Sequence, residues 1–250
     1  MVKQENQVCA ILQPHYLPWM GYFEMIDRVD VFVFLDDVQY EDRGWQNRNQ
    51  IRKTSDSIDN KWLTVPIKRR NHRQTLLKDI EMSTDIDWVS RHKNSLYNTY
   101  KRSPYFKKYF ESLITLLRES KDKSLMNLNV RLIVEICKLL RISTTFRFSS
   151  EFSLPSKKDQ KLLDICLALE TDCYLANNAT AGYADKKQFF AKGIQFLTQD
   201  YLHPTYSQKN SNLELPFLSH LSIVDVLFNQ GEASLKVLKK GGRNLKFDEI

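Results

Sequence analysis

Residues 30–36, Asp-Val-Phe-Val-Phe-Leu-Asp, are apolar at every position from Val31 to Leu35, so neither face of this segment is suited to water. A strand of that kind belongs in the interior of a parallel sheet, where helices cover both faces. Residues 7–13, Gln-Val-Cys-Ala-Ile-Leu-Gln, read as an earlier strand that Pro14 ends. Between the two, Gly21 opens a short helix over 22–28. Phe23, Ile26 and Val29 recur on one face, and Glu24, Asp27 and Arg28 fall between them. Strand, helix and strand at this spacing make a βαβ unit, whose crossover is expected to be right-handed.

The rest of the chain extends that frame. Trp62–Ile67 reads as a strand, with Pro66 marking an edge or an end. A helix is expected from Trp88 to Tyr100, and a second begins at Pro104. In the second, Phe106, Tyr109, Phe110, Leu113, Ile114 and Leu117 form one apolar stripe. A third, over 124–140, repeats the pattern with Leu125, Leu128, Leu132, Ile136 and Leu139. Alternation then returns: strands at 145–149, 172–176 and 194–198, helices at 157–170, 184–192, 222–229 and 232–239. Ser222-Ile-Val-Asp225 is an acidic variant of the capping box. No Gly/Ser-rich linker and no internal repeat divides the 250 residues. The expectation is therefore one α/β domain over 1–250, with a mainly parallel, Rossmann-like sheet and a helical insert near 86–141.

A net charge of +7 favours an anionic small molecule as partner. Lys68-Arg69-Arg70-Asn71-His72-Arg73 is the densest basic cluster and reads as a solvated loop. It lacks interleaved aromatic residues for stacking bases, so nucleic acid is disfavoured. Cys9, Cys137, Cys166 and Cys173 sit in apolar contexts without a Cys-x-x-Cys pair, which speaks against zinc ligation and a disulfide framework. The first ten residues are mixed polar and no apolar run nears the roughly 18 residues of a membrane span, so a cytoplasmic protein is expected.

The first strand leads into the loop Gln13-Pro-His15-Tyr16-Leu-Pro18-Trp19-Met-Gly21-Tyr22. Two prolines stiffen it, and Gly21 lets other groups approach the backbone. His15 suits general acid–base work near neutral pH, or simply a hydrogen bond across a tight turn. Asp36 and Asp37 end the second strand. Successive side chains point to opposite faces, so one of them is expected to face the crevice, where it could orient an amine, hold Mg2+ with a substrate phosphate, or cap a turn. Gln46, Asn47, Arg48, Asn49 and Gln50 combine neutral polar groups with one fixed cation, suited to hydroxyls and a phosphate or carboxylate. Ser149-Ser150-Glu151, the stretch Asn177 to Tyr183, and Tyr201, His203, Tyr206 and Gln208 are weaker candidates at the ends of later strands. No Walker loop, Gly-x-Gly-x-x-Gly, His-Glu-x-x-His or Gly-x-Ser-x-Gly occurs.

Taken together, Gln13-Pro-x-Tyr16-x-Pro18-Trp19-x-Gly21-Tyr-Phe23, Asp36-Asp37-Val-Gln39-Tyr, Trp45-x-Asn47-Arg48-Asn49-x-Ile51, Trp62-Leu-Thr-x-Pro66 and Leu221-Ser-Ile-x-Asp225-x-Leu-Phe-Asn229-x-Gly231 resemble the WbqC-like family over about residues 8–240. That resemblance implies a context in bacterial O-antigen and related polysaccharide assembly more than a defined reaction. Where relatives tend to carry Ser-Gly-Pro-Ala-x-Lys-Asp-Tyr, this chain has Ala176-Asn177-Asn178-Ala179-Thr180-Ala181-Gly182-Tyr183, which keeps Ala179 and Tyr183 but has no lysine. A phosphate held by that lysine in relatives would be held differently here.

The resulting expectation is a transferase that joins an acyl or aminoacyl donor to the amine of a nucleotide-activated amino sugar. His15, Asp36 or Asp37 would act on the proton. Gln13, Tyr16, Trp19, Asn47, Arg48, Asn49 and Tyr183 would bind substrate, no metal ligands are assigned, and an acyl carrier protein is a candidate donor partner. Nucleotidylyl transfer is a variant suggested by the strand, Pro/His loop and Gly-led helix, although Tyr22 stands where the second histidine of His-x-Gly-His would fall. A non-catalytic binding partner in glycan assembly is the other alternative.

Overall fold

The computed structural model describes residues 7–68, 74–119, 124–243 and 246–247. Its centre is a six-stranded sheet of β1 (Val8–Leu12), β2 (Val31–Phe34), β5 (Thr145–Phe148), β6 (Cys173–Ala176), β7 (Gln195–Thr198) and β8 (Lys246–Phe247). The spatial order is β5-β2-β1-β6-β7-β8, parallel except for the β7–β8 pair. Ala10 pairs with Phe32 across β1 and β2, and Cys9 pairs with Tyr174 across β1 and β6. From β1 the chain adds strands first on one side and then, with β6, on the other. β1 and β6 therefore flank the point where strand order reverses, at whose carboxyl ends doubly wound sheets form their crevice.

Period-two burial explains why this sheet is interior. Ala10, Phe32 and Phe34 enter a core built with α1 (Met20–Asp27), α4 (Leu125–Leu140) and α8 (Ile223–Gln230). Cys9, Ile11, Val31 and Val33 point the other way, into a second core with α5 (Lys158–Ala168) and α7 (Lys186–Ala191). All four residues of β2 are buried, as its two-sided apolarity requires.

Three helices, α2 (Trp88–Tyr100), α3 (Phe106–Arg118) and α4, lie between β2 and β5 in the chain. α3 packs on α2, α4 and α8. The Asp87 side chain caps α2, Ser124 caps α4 and Ser222 caps α8, each accepting an early backbone N–H. α9 (Ser234–Lys239) then returns against α1.

The structure differs from the sequence expectation before α2. The polar run 46–50, to which no strand is assigned from sequence, is half strand: β3 (Arg48–Arg52) pairs antiparallel with β4 (Asn60–Thr64) in a separate two-stranded hairpin. Charge hid it, because β3 begins and ends in arginine. Arg52 is nonetheless buried, donating to Gln208 Oε1 at 2.8 Å and to the Pro216 carbonyl at 3.2 Å. Pro66 falls beyond β4. In the basic cluster, Lys68 pairs with Glu81, and Arg69–Arg73 lie outside the described residues. Among the described residues, no helix is long and apolar enough to cross a membrane.

Candidate functional site

A cavity of about 490 Å³ opens at the carboxyl ends of β1 and β6. Gln13, His15 and Trp19 reach it from the loop after β1. Asn177, Ala179, Thr180 and Tyr183 reach it from the segment after β6, which winds into the short helix α6 (Asn178–Ala181). Tyr22 and Met25 of α1, Leu162 of α5, Gln199 after β7, and Glu41, Trp45, Asn49 and His220 also line it, over a floor that includes Ile11, Leu12, Gly21 and Leu35.

Hydrogen bonds from neighbouring elements set the β1 loop. Asn129, fully buried on α4, donates Nδ2 to the Pro14 carbonyl at 3.0 Å and to the Gln46 carbonyl at 2.7 Å. Asn49 donates to the carbonyls of Tyr16 (3.1 Å) and Leu17 (2.9 Å), and the Tyr22 hydroxyl donates to the Gln13 carbonyl at 2.9 Å. Leu17 is held at φ 42 within this clamp. Gly21 is required because the Trp19 indole lies directly over it, where a Cβ would collide with the ring. Trp19 in turn stacks on His203 and packs on Tyr201 and His220, tying the 201–220 segment to the cavity wall.

His15 faces the cavity from the loop after β1. Protein surrounds it, and desolvation pushes its pKa down to about 4, so the ring is neutral at pH 7. Its ring packs on Tyr22 with centroids 5.4 Å apart. Among the described residues the imidazole makes no hydrogen bond, which leaves both nitrogens for a ligand. Glu41 is, among the described residues, the one charged side chain in the wall; it lies 3.4 Å from Gln13 Nε2 and has no paired cation among them. No lysine or arginine among the described residues lines the cavity.

Of the residues singled out from sequence, Gln13, His15, Trp19, Asn49 and Tyr183 meet at this cavity. The other five lie elsewhere, each for an identifiable reason. Tyr16 is buried and donates its hydroxyl to His92 Nδ1 at 2.9 Å, because His92, with its pKa lowered to about 4 by burial, uses Nε2 on the Thr64 carbonyl. Asn47 donates to the Val65 carbonyl at 2.9 Å and aligns the chain after β4. Arg48 lies one residue back from the wall, its guanidinium 4.2 Å from the centroid of Trp62, which packs on Trp45.

Asp36 and Asp37 turn away toward the end of β5. Asp36 accepts from Ser149 Oγ (2.9 Å), the Ser150 amide (2.9 Å) and Ser150 Oγ (2.7 Å). Asp37 accepts from Lys161 at 2.6 Å and from Ser149. Burial works to raise the Asp37 pKa, but the Lys161 and Ser149 hydrogen bonds hold it below the ordinary value. Carboxylates engaged in this way do not fit the Mg2+ role. Among the described residues, no group of three or more His, Cys, Asp or Glu side chains could hold a metal ion.

Glu41, Trp45, Gln199 and His220 were not singled out as site residues from sequence. Only Trp45 carried a signal, as part of a motif beside Arg48. Gln199 reads as a strand end, yet it faces the cavity while donating to the Gly21 carbonyl (2.8 Å) and Glu24 (2.6 Å).

A family model described as the WbqC-like protein family matches residues 13–237. An uncharacterized Mycobacterium tuberculosis protein, Rv1507c, is 34% identical over 228 residues, covering 89% of this chain and 93% of its own length. No solved structure shows a significant match.

Proposed function

Because the chain belongs to the WbqC-like protein family, we propose that it is a transferase of bacterial cell-surface glycan assembly that forms an amide on the amine of a nucleotide-activated amino sugar. The observation that carries this reading is His15: among the described residues, a neutral imidazole without a hydrogen bond, facing a cavity whose one charged wall residue is Glu41. Glu41 and the faces of Trp19 and Trp45 attract an ammonium group at the mouth. Deeper in, desolvation lowers the pKa of the amine, and His15 accepts its proton.

The amine nitrogen then attacks the carbonyl carbon of a thioester donor such as an acyl carrier protein. The new C–N bond forms and the C–S bond breaks, and the proton held by His15 passes to the departing thiolate. The second nitrogen proton, lost as the amide forms, is taken by the freed imidazole and released to water. Gln13 and Asn177 offer neutral polar groups for the sugar hydroxyls. Basic residues outside the cavity are left to meet the diphosphate.

The test is to incubate the protein with a panel of nucleotide-linked amino sugars and acyl thioesters, and to search for amide products by mass spectrometry. Turnover is expected, and His15→Ala should lower kcat by about 10²-fold or more while changing KM little. A His15→Ala protein with wild-type kcat would overturn the reading. So would tight sugar-nucleotide binding without turnover against any thioester, which would point to the non-catalytic role.

A further inference from the structure

We propose that the solvent-facing side of the β3–β4 hairpin, beside the cavity mouth, is a nucleoside-diphosphate subsite in which Trp45 and Trp62 stack the base and Arg48 holds phosphate. Trp45 and Trp62 are 45% and 41% exposed, unusual for rings of that size. They pack together with centroids 5.3 Å apart and an interplanar angle of 46°, which leaves aromatic surface open to solvent. Trp45 also lines the cavity, so the shelf continues directly from its wall.

Strand register places Arg48, Gln50, Asn60 and Thr64 on the same face as Trp62. Gln50 and Asn60 are joined by a 3.1 Å hydrogen bond and present amides beside the rings. The Arg48 guanidinium lies 4.2 Å from the Trp62 centroid, donates to the Arg43 carbonyl, and pairs with no carboxylate among the described residues. An aromatic shelf, edge amides and a cation set against the ring match the base and phosphate of a nucleotide. The cavity itself, without a lysine or arginine among its described lining residues, is left to the sugar.

This placement rests on the activated-sugar reading above, and its test is separable from it. Uridine diphosphate and thymidine diphosphate alone, without sugar or acyl donor, are titrated into the full chain by calorimetry and tryptophan fluorescence. Both should bind and quench fluorescence. Trp62→Ala and Arg48→Gln should each raise Kd about tenfold or more, and added salt should weaken binding less in Arg48→Gln than in wild type. Free glucosamine, the second probe, should bind equally to wild type and Trp62→Ala.

Failure of the diphosphates to bind, or an unchanged Kd in folded Trp62→Ala, would overturn the subsite. So would a wild-type dimer in sedimentation that Trp62→Ala dissociates, which would make the shelf a protein interface. Diphosphate binding that depends on Trp62, without amide formation from any donor, would leave the subsite standing and count against acyl transfer alone. Amide formation that is indifferent to Trp62 and Arg48 would do the reverse.

Discussion

Lys161 Nζ lies 2.6 Å from Asp37 Oδ2, with both side chains largely removed from solvent, and this pair fastens α5 to the carboxyl end of β2. It gives Asp37 a structural task. Replacing Lys161 by Met would leave the carboxylate unpaired in a poorly hydrated site, at a cost of about 2–4 kcal/mol after allowance for its partial exposure. Asp37→Asn added to Lys161→Met should recover much of that loss, because no charge is then stranded. The folded-state pKa of Asp37 is lowered, so its stabilising effect is present above the unfolded value and is lost as pH falls through the folded value. Denaturant melts at pH 7 and pH 3 check both points. Equal stability of wild type and Lys161→Met at pH 7 would contradict them.

The desolvated imidazoles predict a second, separate pH dependence. His15, His92 and His203 all have pKa values lowered to about 4, chiefly by desolvation, while His220 also contributes to the shift of His203. Unfolding returns them to about 6.5, so at pH 5 the unfolded chain binds about two to three more protons at these sites. Their contribution is fully present above pH 6.5 and is lost as pH falls from there toward 4. Stability measured between pH 7 and 4.5 should fall steeply, and His92→Gln should shallow the slope by about one proton. Identical slopes for wild type and His92→Gln would show that His92 titrates normally when folded.

The contrast between Val31–Phe34 and Arg48–Arg52 shows what could be read from the chain alone. β2 is apolar on both faces, and that composition has one comfortable environment, so strand type, burial and parallel neighbours all follow. β3 is polar and becomes a strand through its pairing with β4 and the distant partners of Arg52, which no local pattern records. In the same way His15 and Trp19 are legible from a stiff loop after a strand. Glu41 and His220 reach the cavity through folds of the chain that bring distant segments together. Asp36 and Asp37 resembled site residues because they end a strand at the right edge. Ser149, Ser150 and Lys161, more than 110 residues away, turn them aside.

The thiols should be chemically silent in the folded protein. All four cysteines are free and buried, and the Cys9 and Cys166 sulfurs lie 3.7 Å apart between β1 and α5. Burial pushes Cys137 up to about 12 and also raises Cys166 and Cys173, so these three form little thiolate at pH 8. A thiol-reactive disulfide reagent should label almost no cysteine in native protein and all four after denaturation. Cys9→Ser should cost about 1–3 kcal/mol of stability while the folded fraction remains active. Rapid stoichiometric labelling of the native chain, or a folded but inactive Cys9→Ser variant, would contradict this.

The central claim is that substrate occupies the cavity between the ends of β1 and β6. Ala179 lies in its wall on α6 and is itself exposed, so a larger side chain there fills the mouth without entering the core. The direct measurement is calorimetric titration of nucleotide-linked amino sugars into wild type and Ala179→Phe, with melting temperatures confirming that both are folded. Wild type should bind, and Ala179→Phe should show at least a tenfold weaker Kd at an unchanged melting temperature. Equal affinity in the two proteins would place the substrate elsewhere and contradict the account.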